Sequence, residues 1–257
     1  MIGAAQLPIQ SVAAAGLGVL GAIVGSFIAA LVIRWPQERS VVHGRSACDA
    51  CGRTLTAIDL VPLLSALLLR GRCRTCGARI DPLHWRVEAC GAVIGIAAGL
   101  VAPGYAGLAG AVFGWLLLAL AALDLVAFWL PDRLTGLLAI GGAVGGIAGL
   151  APDGIDRLIG GAAGFALLWL VARGYRMVRG HEGMGGGDPK LFGAIGLWLG
   201  WQMLPAVLLI ASMIGLGVVL AAHLKGRSMA ADTALPFGAL LALAAYPAWL
   251  FMIGLTP

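Results

Sequence analysis

Eight apolar runs separated by polar stretches set the pattern of this chain. They cover about 12–34, 87–102, 106–130, 134–151, 157–173, 190–201, 203–222 and 236–255. A helix needs roughly 20 apolar residues to cross a bilayer, and most of these runs come near that length. The pattern predicts an all-α, polytopic membrane protein of about eight transmembrane helices. The run at 190–201 is short and reads as a half-span or as part of a neighbour. Only one polar stretch is sizeable, residues 35–86. The expected organisation is a first transmembrane helix over 1–34, a small loop domain over 35–86 and a membrane core over 87–257.

Composition agrees. Of 257 residues, 60% are hydrophobic and 11% charged, against about 25% charged in an ordinary soluble domain. The 40 glycines suit close helix contacts in lipid. The net charge of +5 lies in the loops, so it reports topology and not a nucleic-acid partner. With the N-terminus outside, every Lys and Arg except Arg157 falls in an inner loop, and the flipped arrangement reverses this. The expected location is therefore a multi-pass position in the bilayer with the 35–86 loop cytoplasmic. The first basic residue is Arg34. A cleavable secretory signal would need charge before its apolar run, so the first run is expected to remain a helix.

The inner loop holds Cys48-Asp49-Ala50-Cys51 and Cys73-Arg74-Thr75-Cys76, each followed by glycine (Gly52, Gly77). Two Cys-x-x-Cys pairs at this separation have the spacing of a four-cysteine zinc ribbon. Cys48, Cys51, Cys73 and Cys76 are expected to hold structural zinc; a redox pair or two disulfides is the alternative. Disulfides are rare on the cytoplasmic side, and four thiolates leave the metal no open position for chemistry. The fifth cysteine, Cys90, reads as a small buried apolar residue. Glu88 reads as an ion-pair partner of a loop arginine, or else as a site residue.

Two aspartates stand at the edges of apolar runs. Asp124 lies in Ala121-Ala122-Leu123-Asp124-Leu125-Val126, and Asp188 in Gly183-Met184-Gly185-Gly186-Gly187-Asp188-Pro189-Lys190. A carboxylate at bilayer depth is costly and marks a functional site unless it is paired; a salt bridge from Asp124 to Arg133 or Lys190 is the structural alternative. The inferred topology puts both aspartates on the inner side. Two adjacent carboxylates share one proton, so one activates water while the other protonates a carbonyl or leaving amine. Asp124 and Asp188 are the expected catalytic pair, with Gly185, Gly187 and Lys190 as the supporting loop. Asp132, after Pro131, reads as a solvated N-cap. His43, His84, His181 and His223 are scattered through inner loops and read as surface residues.

Taken together, these stretches resemble the type IV prepilin peptidases, also called prepilin leader peptidase/N-methyltransferases, a family of Gly-x-Gly-Asp intramembrane aspartyl proteases. The resemblance rests on Gly25-Ser26-Phe27, Arg34-x-Pro36, Gly44-Arg45-Ser46-x-Cys48-x-x-Cys51-Gly52, Asp59-Leu60-Val61-Pro62-Leu63-Leu64-Ser65, Arg70-Gly71-Arg72-Cys73-x-x-Cys76-Gly77, Val87-Glu88, Leu123-Asp124, Leu130-Pro131-Asp132-x-Leu134-Thr135 and Gly183 to Leu191. It implies cleavage of the leaders of type IV prepilins or type II secretion pseudopilins at the cytoplasmic face of the bacterial inner membrane. It also implies that Asp124 and Asp188 are the catalytic pair. Members with the cysteine loop commonly N-methylate the new N-terminus using S-adenosylmethionine. A peptidase without methyl transfer is the nearest alternative, and a transporter with an Asp proton relay a more distant one. Asp49 and the stretch His84-Trp85-Arg86 depart from the family pattern, the second beside the part linked to methyl transfer.

Overall fold

The computed structural model describes residues 6–41, 43, 45–102, 104–226 and 235–255. Gly44 of the resemblance and Arg227 of the charge count lie outside these residues. Among the described residues the chain is nearly all helix: α1 (Gln6–Arg34), α2 (Leu64–Leu68), α3 (Leu83–Val101), α4 (Tyr105–Ala127), α5 (Asp132–Ile147), α6 (Gly154–Arg179), α7 (Gly187–Leu199), α8 (Leu204–Leu224) and α9 (Phe237–Leu255). Six of them, α1, α3, α4, α6, α8 and α9, are long and apolar enough to cross a membrane. Eight spans are expected from the sequence, and six of the described helices meet the length and composition for one. The runs around 134–151 and 190–201 form helices of only 16 and 13 residues, short of the roughly 20 that hydrocarbon requires. The second is a separate helix and does not merge with a neighbour, because a turn at Gly200–Met203 divides it from α8.

The chain divides into two units within α4, one over Met1–Ala119 and the other over Leu120–Pro257. In the first unit α1 packs along α3, and glycines make the close approach possible. A methyl group placed on Gly25 would stand 2.7 Å from both the Glu88 Cα and the Val87 carbonyl oxygen. One on Gly99 would stand 2.6 Å from the Ala14 Cα, while Gly21 and Gly91 meet backbone to backbone. Lipid supplies no hydrophobic drive between helices, so close packing of small residues takes its place. The Trp115 Nε1–H donates to the Gly91 carbonyl at 3.0 Å and ties the middle of α4 to α3. Cys90, on α3, is exposed from the protein and not buried as expected. The glycine face packs on α1, which leaves its neighbour in sequence turned outward.

In the second unit α7 is the central piece. It packs against α5, α6 and α9, and ten of its 13 residues are buried. That enclosure by protein explains how so short an apolar helix is stable. Gly193 and Gly196 of α7 meet Gly160 and Gly161 of α6 through backbone. On the opposite flank, the Trp198 Nε1–H donates to the Leu138 carbonyl of α5 at 2.7 Å. α6 ends at Gly180, whose φ of 75° forms a left-handed C-cap.

Candidate functional site

The second unit brings Asp124 and Asp188 into one place. Asp124 sits in the last turn of α4 and is 5% exposed. Its Oδ2 accepts the Ala239 N–H at 2.8 Å. Ala239 lies in the first turn of α9, where backbone donors have no partner within the helix and the helix dipole is positive. An acidic side chain from one helix thus caps another. Gly238 permits this, since a methyl group there would lie 3.1 Å from the Asp124 Oδ2.

Asp188 is the second residue of α7 and is also 5% exposed. Its N–H donates to the Gly185 carbonyl at 3.2 Å, and a methyl group on Gly185 would stand 3.2 Å from its Oδ2. Each aspartate lies within electrostatic reach of the other. Leu130 links the two neighbourhoods. Methyl groups on Gly187 and Gly238 would come within 2.8 Å of its Cβ and 2.7 Å of its Cδ1, respectively. Three elements that are remote in sequence, the ends of α4, α7 and α9, therefore converge on one leucine and two carboxylates.

Lys190 does not reach Asp124. Its Nζ pairs with the Asp132 Oδ1 at 2.7 Å, and both side chains are largely exposed. Asp132 is not the N-cap expected from sequence: Pro131 holds that position, and no side chain caps the helix. Asp132 is instead the first helical residue, where its charge suits the helix dipole and fastens the start of α5 to the first turn of α7.

The first unit holds the metal-type cluster. The four sulfurs of Cys48, Cys51, Cys73 and Cys76 lie within 4.8 Å of one another, with Cys48 and Cys76 3.8 Å apart. A tetrahedral zinc with arms of about 2.3 Å sets its ligand sulfurs about 3.8 Å apart, so the cluster fits the ion. The two knuckles have the same build. The Gly52 N–H donates to the Cys48 carbonyl at 2.9 Å and the Gly77 N–H to the Cys73 carbonyl at 3.0 Å, with φ of 68° and 70° at the two glycines. The N–H groups of Cys76 and Thr75 hold the Cys73 thiol down at about 6. The Ala78 N–H acts the same way on Cys76, but burial and the three neighbouring sulfurs outweigh it and push that thiol up to about 11. Four thiolates at this spacing repel one another, so the cluster carries its full charge only around a cation.

Between the knuckles lies Asp59, a residue the sequence placed in a motif without assigning it a role. Its Oδ2 accepts from Arg53 at 2.9 Å, from the Thr56 N–H at 3.1 Å and from the Thr56 hydroxyl at 2.8 Å, while its Oδ1 pairs with Arg74 at 3.1 Å. These donors, the Thr56 N–H foremost, keep its carboxyl below the usual range. Arg53 follows the first knuckle and Arg74 sits inside the second, so Asp59 ties them together. Glu88, 7% exposed, pairs with no arginine among the described residues. Its Oε2 accepts the Leu63 N–H at 2.8 Å.

Arg157 is the functional-looking residue that sequence reasoning passed over. It is 3% exposed, and its guanidinium donates to five carbonyls: Pro152 at 2.8 Å, Gly142 at 2.9 Å, Leu197 at 2.8 Å, Leu150 at 3.2 Å and Ala151 at 2.7 Å. It neutralises the carbonyl-rich end of α7, opposite the end that carries Asp188. The available signal was its place as the one Lys or Arg outside the inner loops, at the start of an apolar run. The histidines are surface-type as expected, except that His84 is half-buried.

Comparison with known proteins matches two family models, Bacterial Peptidase A24 N-terminal domain over residues 19–101 and Type IV leader peptidase family over residues 111–220. The chain is 40% identical over 212 residues to a prepilin leader peptidase/N-methyltransferase of Aeromonas hydrophila, covering 80% of this chain and 71% of that one. It is 38% identical over 250 residues to the protein of that name from Burkholderia pseudomallei, covering 87% and 81%. It is 35% identical over 261 residues to the one from Pseudomonas aeruginosa, covering 90% and 88%. No solved structure matches.

Proposed function

This chain belongs to the type IV leader peptidase family, and from that premise we propose that it cleaves the leaders of type IV prepilins or type II secretion pseudopilins and N-methylates the new N-terminus. It does so as a multi-pass protein of the bacterial inner membrane. Its N-terminus lies outside and its chemistry on the cytoplasmic side, as the distribution of Lys and Arg supports.

Asp124 and Asp188 carry the hydrolysis. The observation behind this is the meeting of two buried carboxylates, one of them held by the amino end of α9. A donor N–H and a helix N-terminus favour negative charge on Asp124. The proton shared by the pair then rests on Asp188. Asp124 takes a proton from water, the resulting hydroxide attacks the scissile carbonyl, and Asp188 delivers its proton to the carbonyl oxygen. Collapse of the tetrahedral intermediate expels the amine, which takes up a proton, with no covalent link to the protein. Gly185 and Gly187 let the loop fold closely over Asp188 and Leu130, and Lys190 anchors it through Asp132.

Cys48, Cys51, Cys73 and Cys76 hold zinc, which closes the loop and takes no part in the reaction. S-adenosylmethionine supplies the methyl group. The test is cleavage of a purified prepilin in detergent by wild type, Asp124→Asn and Asp188→Asn, with the mass of the mature N-terminus measured when S-adenosylmethionine is present. Full cutting by either variant rejects the pair. A mature N-terminus that gains no methyl mass rejects the second activity.

A further inference from the structure

Residues 58–69 lie between the two cysteine knuckles and include the short helix α2. For a loop in water, this stretch is inside out. Leu67 and Leu68 are 75% and 71% exposed, and Ile58, Val61 and Leu64 stand out with them. Ser65 and Ala66 are the residues turned inward, toward the space between the knuckles and the ends of α1 and α3. A contiguous apolar face of this kind marks a contact with membrane or protein. We propose that α2 and its flanks form a re-entrant membrane element. Its leucines insert among the acyl chains of the adjoining leaflet, the inner one on the topology given above.

Depth is what selects lipid. The Leu63 N–H, at the start of α2, donates to the Glu88 Oε2 at 2.8 Å. Glu88 is the sixth residue of α3, a helix of 19 residues. At about 1.5 Å per residue α3 is roughly 28 Å long, just enough to span the hydrocarbon, and Glu88 lies roughly 8 Å below its near end. The partner helix gives the same level. A methyl group on Gly25 of α1 would stand 2.7 Å from the Glu88 Cα. Gly25 is nine residues before Arg34, and α1 carries no charge ahead of that arginine. The Gly25 level is therefore roughly 13 Å below the first charge of α1. A helix lying in the interface sinks its apolar face about 5–10 Å, which is where this bond holds the start of α2.

The backbone and the flanking residues fit this placement. Non-helical backbone survives at membrane depth only where protein satisfies it. Leu63, with φ 60° and ψ −46°, is such a residue, and Glu88 takes its N–H. At the other end α2 stops at Arg70 and Gly71, whose φ values are 49° and 65°, and the Gly71 N–H closes the turn on the Ala66 carbonyl at 2.8 Å. The exposed Arg70 and Arg72 follow the leucines directly. Their long stems can run along acyl chains while the guanidinium groups reach lipid phosphates. Trp85, 45% exposed in the first turn of α3, is the residue type found at the boundary between hydrocarbon and headgroups. A soluble partner would have to displace lipid to reach leucines at this level. The loop is thus pinned to the bilayer at its middle, and both knuckles ride on the membrane surface.

The test uses full-length protein in vesicles of phosphatidylethanolamine and phosphatidylglycerol, doped with a lipid that carries a diazirine on its acyl chain. After irradiation the labelled peptides are mapped by mass spectrometry. Residues 58–69 are expected to label within about threefold of the part of α3 that carries Ile96 and Leu100, and about tenfold or more above residues 48–54. Leu67→Glu combined with Leu68→Glu should cut the label in 58–69 by about tenfold, with the label in α3 and the zinc content as in wild type. Label in wild-type 58–69 no higher than in 48–54 would overturn the proposal. So would a headgroup diazirine that marks 58–69 where the acyl probe does not, since the segment would then lie on the membrane and not in it. Undiminished label in the double variant would show that the leucines are not the inserted groups, and would overturn it too. Label that disappears when prepilin is added would overturn it in favour of a docking face for the substrate.

Discussion

In the first unit four sulfurs gather within 4.8 Å at the end of a polar loop, while in the second two carboxylates are buried among apolar helices. The first arrangement is organised by charge. Thiolates repel, so the cluster has the make-up of a cation site, and the Asp59 and arginine pairs tie the two knuckles together. The second is organised by exclusion of water. α7 is enclosed by protein, and Asp124 finds its partner in the backbone of α9 and not in a basic side chain. The two kinds of order should therefore fail under different insults.

The largest effect should come from the carboxylates. Asp124→Asn or Asp188→Asn is expected to lower cleavage by at least about a thousandfold, with zinc content unchanged. Loss of zinc in either variant would break the comparison. Stripping the metal with a chelator, or replacing Cys73 with Ser, should abolish methyl transfer yet leave cleavage within about fivefold of wild type. Equal loss of both activities would show that the second unit depends on the metal. Arg157→Met leaves five carbonyls without their donor and should destabilise the folded protein by about 3 kcal/mol, read as a lowered melting temperature in detergent. Arg157→Lys should recover only part of this, because one ammonium cannot span the same carbonyls. Lys190→Ala removes an exposed ion pair and should cost less than about 1 kcal/mol. Cleavage should fall by no more than about fivefold, and exchanging the charges at 132 and 190 should restore it.

Most helices were legible because lipid-facing segments must be apolar over a minimum length, and this leaves a plain mark in the sequence. The two short helices were legible as apolar runs, but not as elements whose stability comes from neighbours that only the fold supplies. The cysteine spacing carried the metal cluster directly, since both knuckles are local. Asp124 and Asp188 stood out because each is ionisable within an apolar setting, but Ala239 did not, because a backbone donor has no signature in side-chain chemistry. Asp132 misled for a related reason: an aspartate after proline is a good cap in isolation, whereas here Pro131 takes the boundary and Lys190 takes the carboxylate. Glu88 pairs with a backbone N–H and not with an arginine, because a twisted turn some 25 residues upstream presents one.

Leu130 works as a shim. Its side chain fills the notch left by Gly187 on one side and by Gly238 on the other, so a single alkyl group sets the gauge between the two acid-bearing ends. Neither end can shift without pressing on or parting from that leucine. The spacing of the carboxylates is thus adjustable from a residue that carries no charge and takes no part in the reaction.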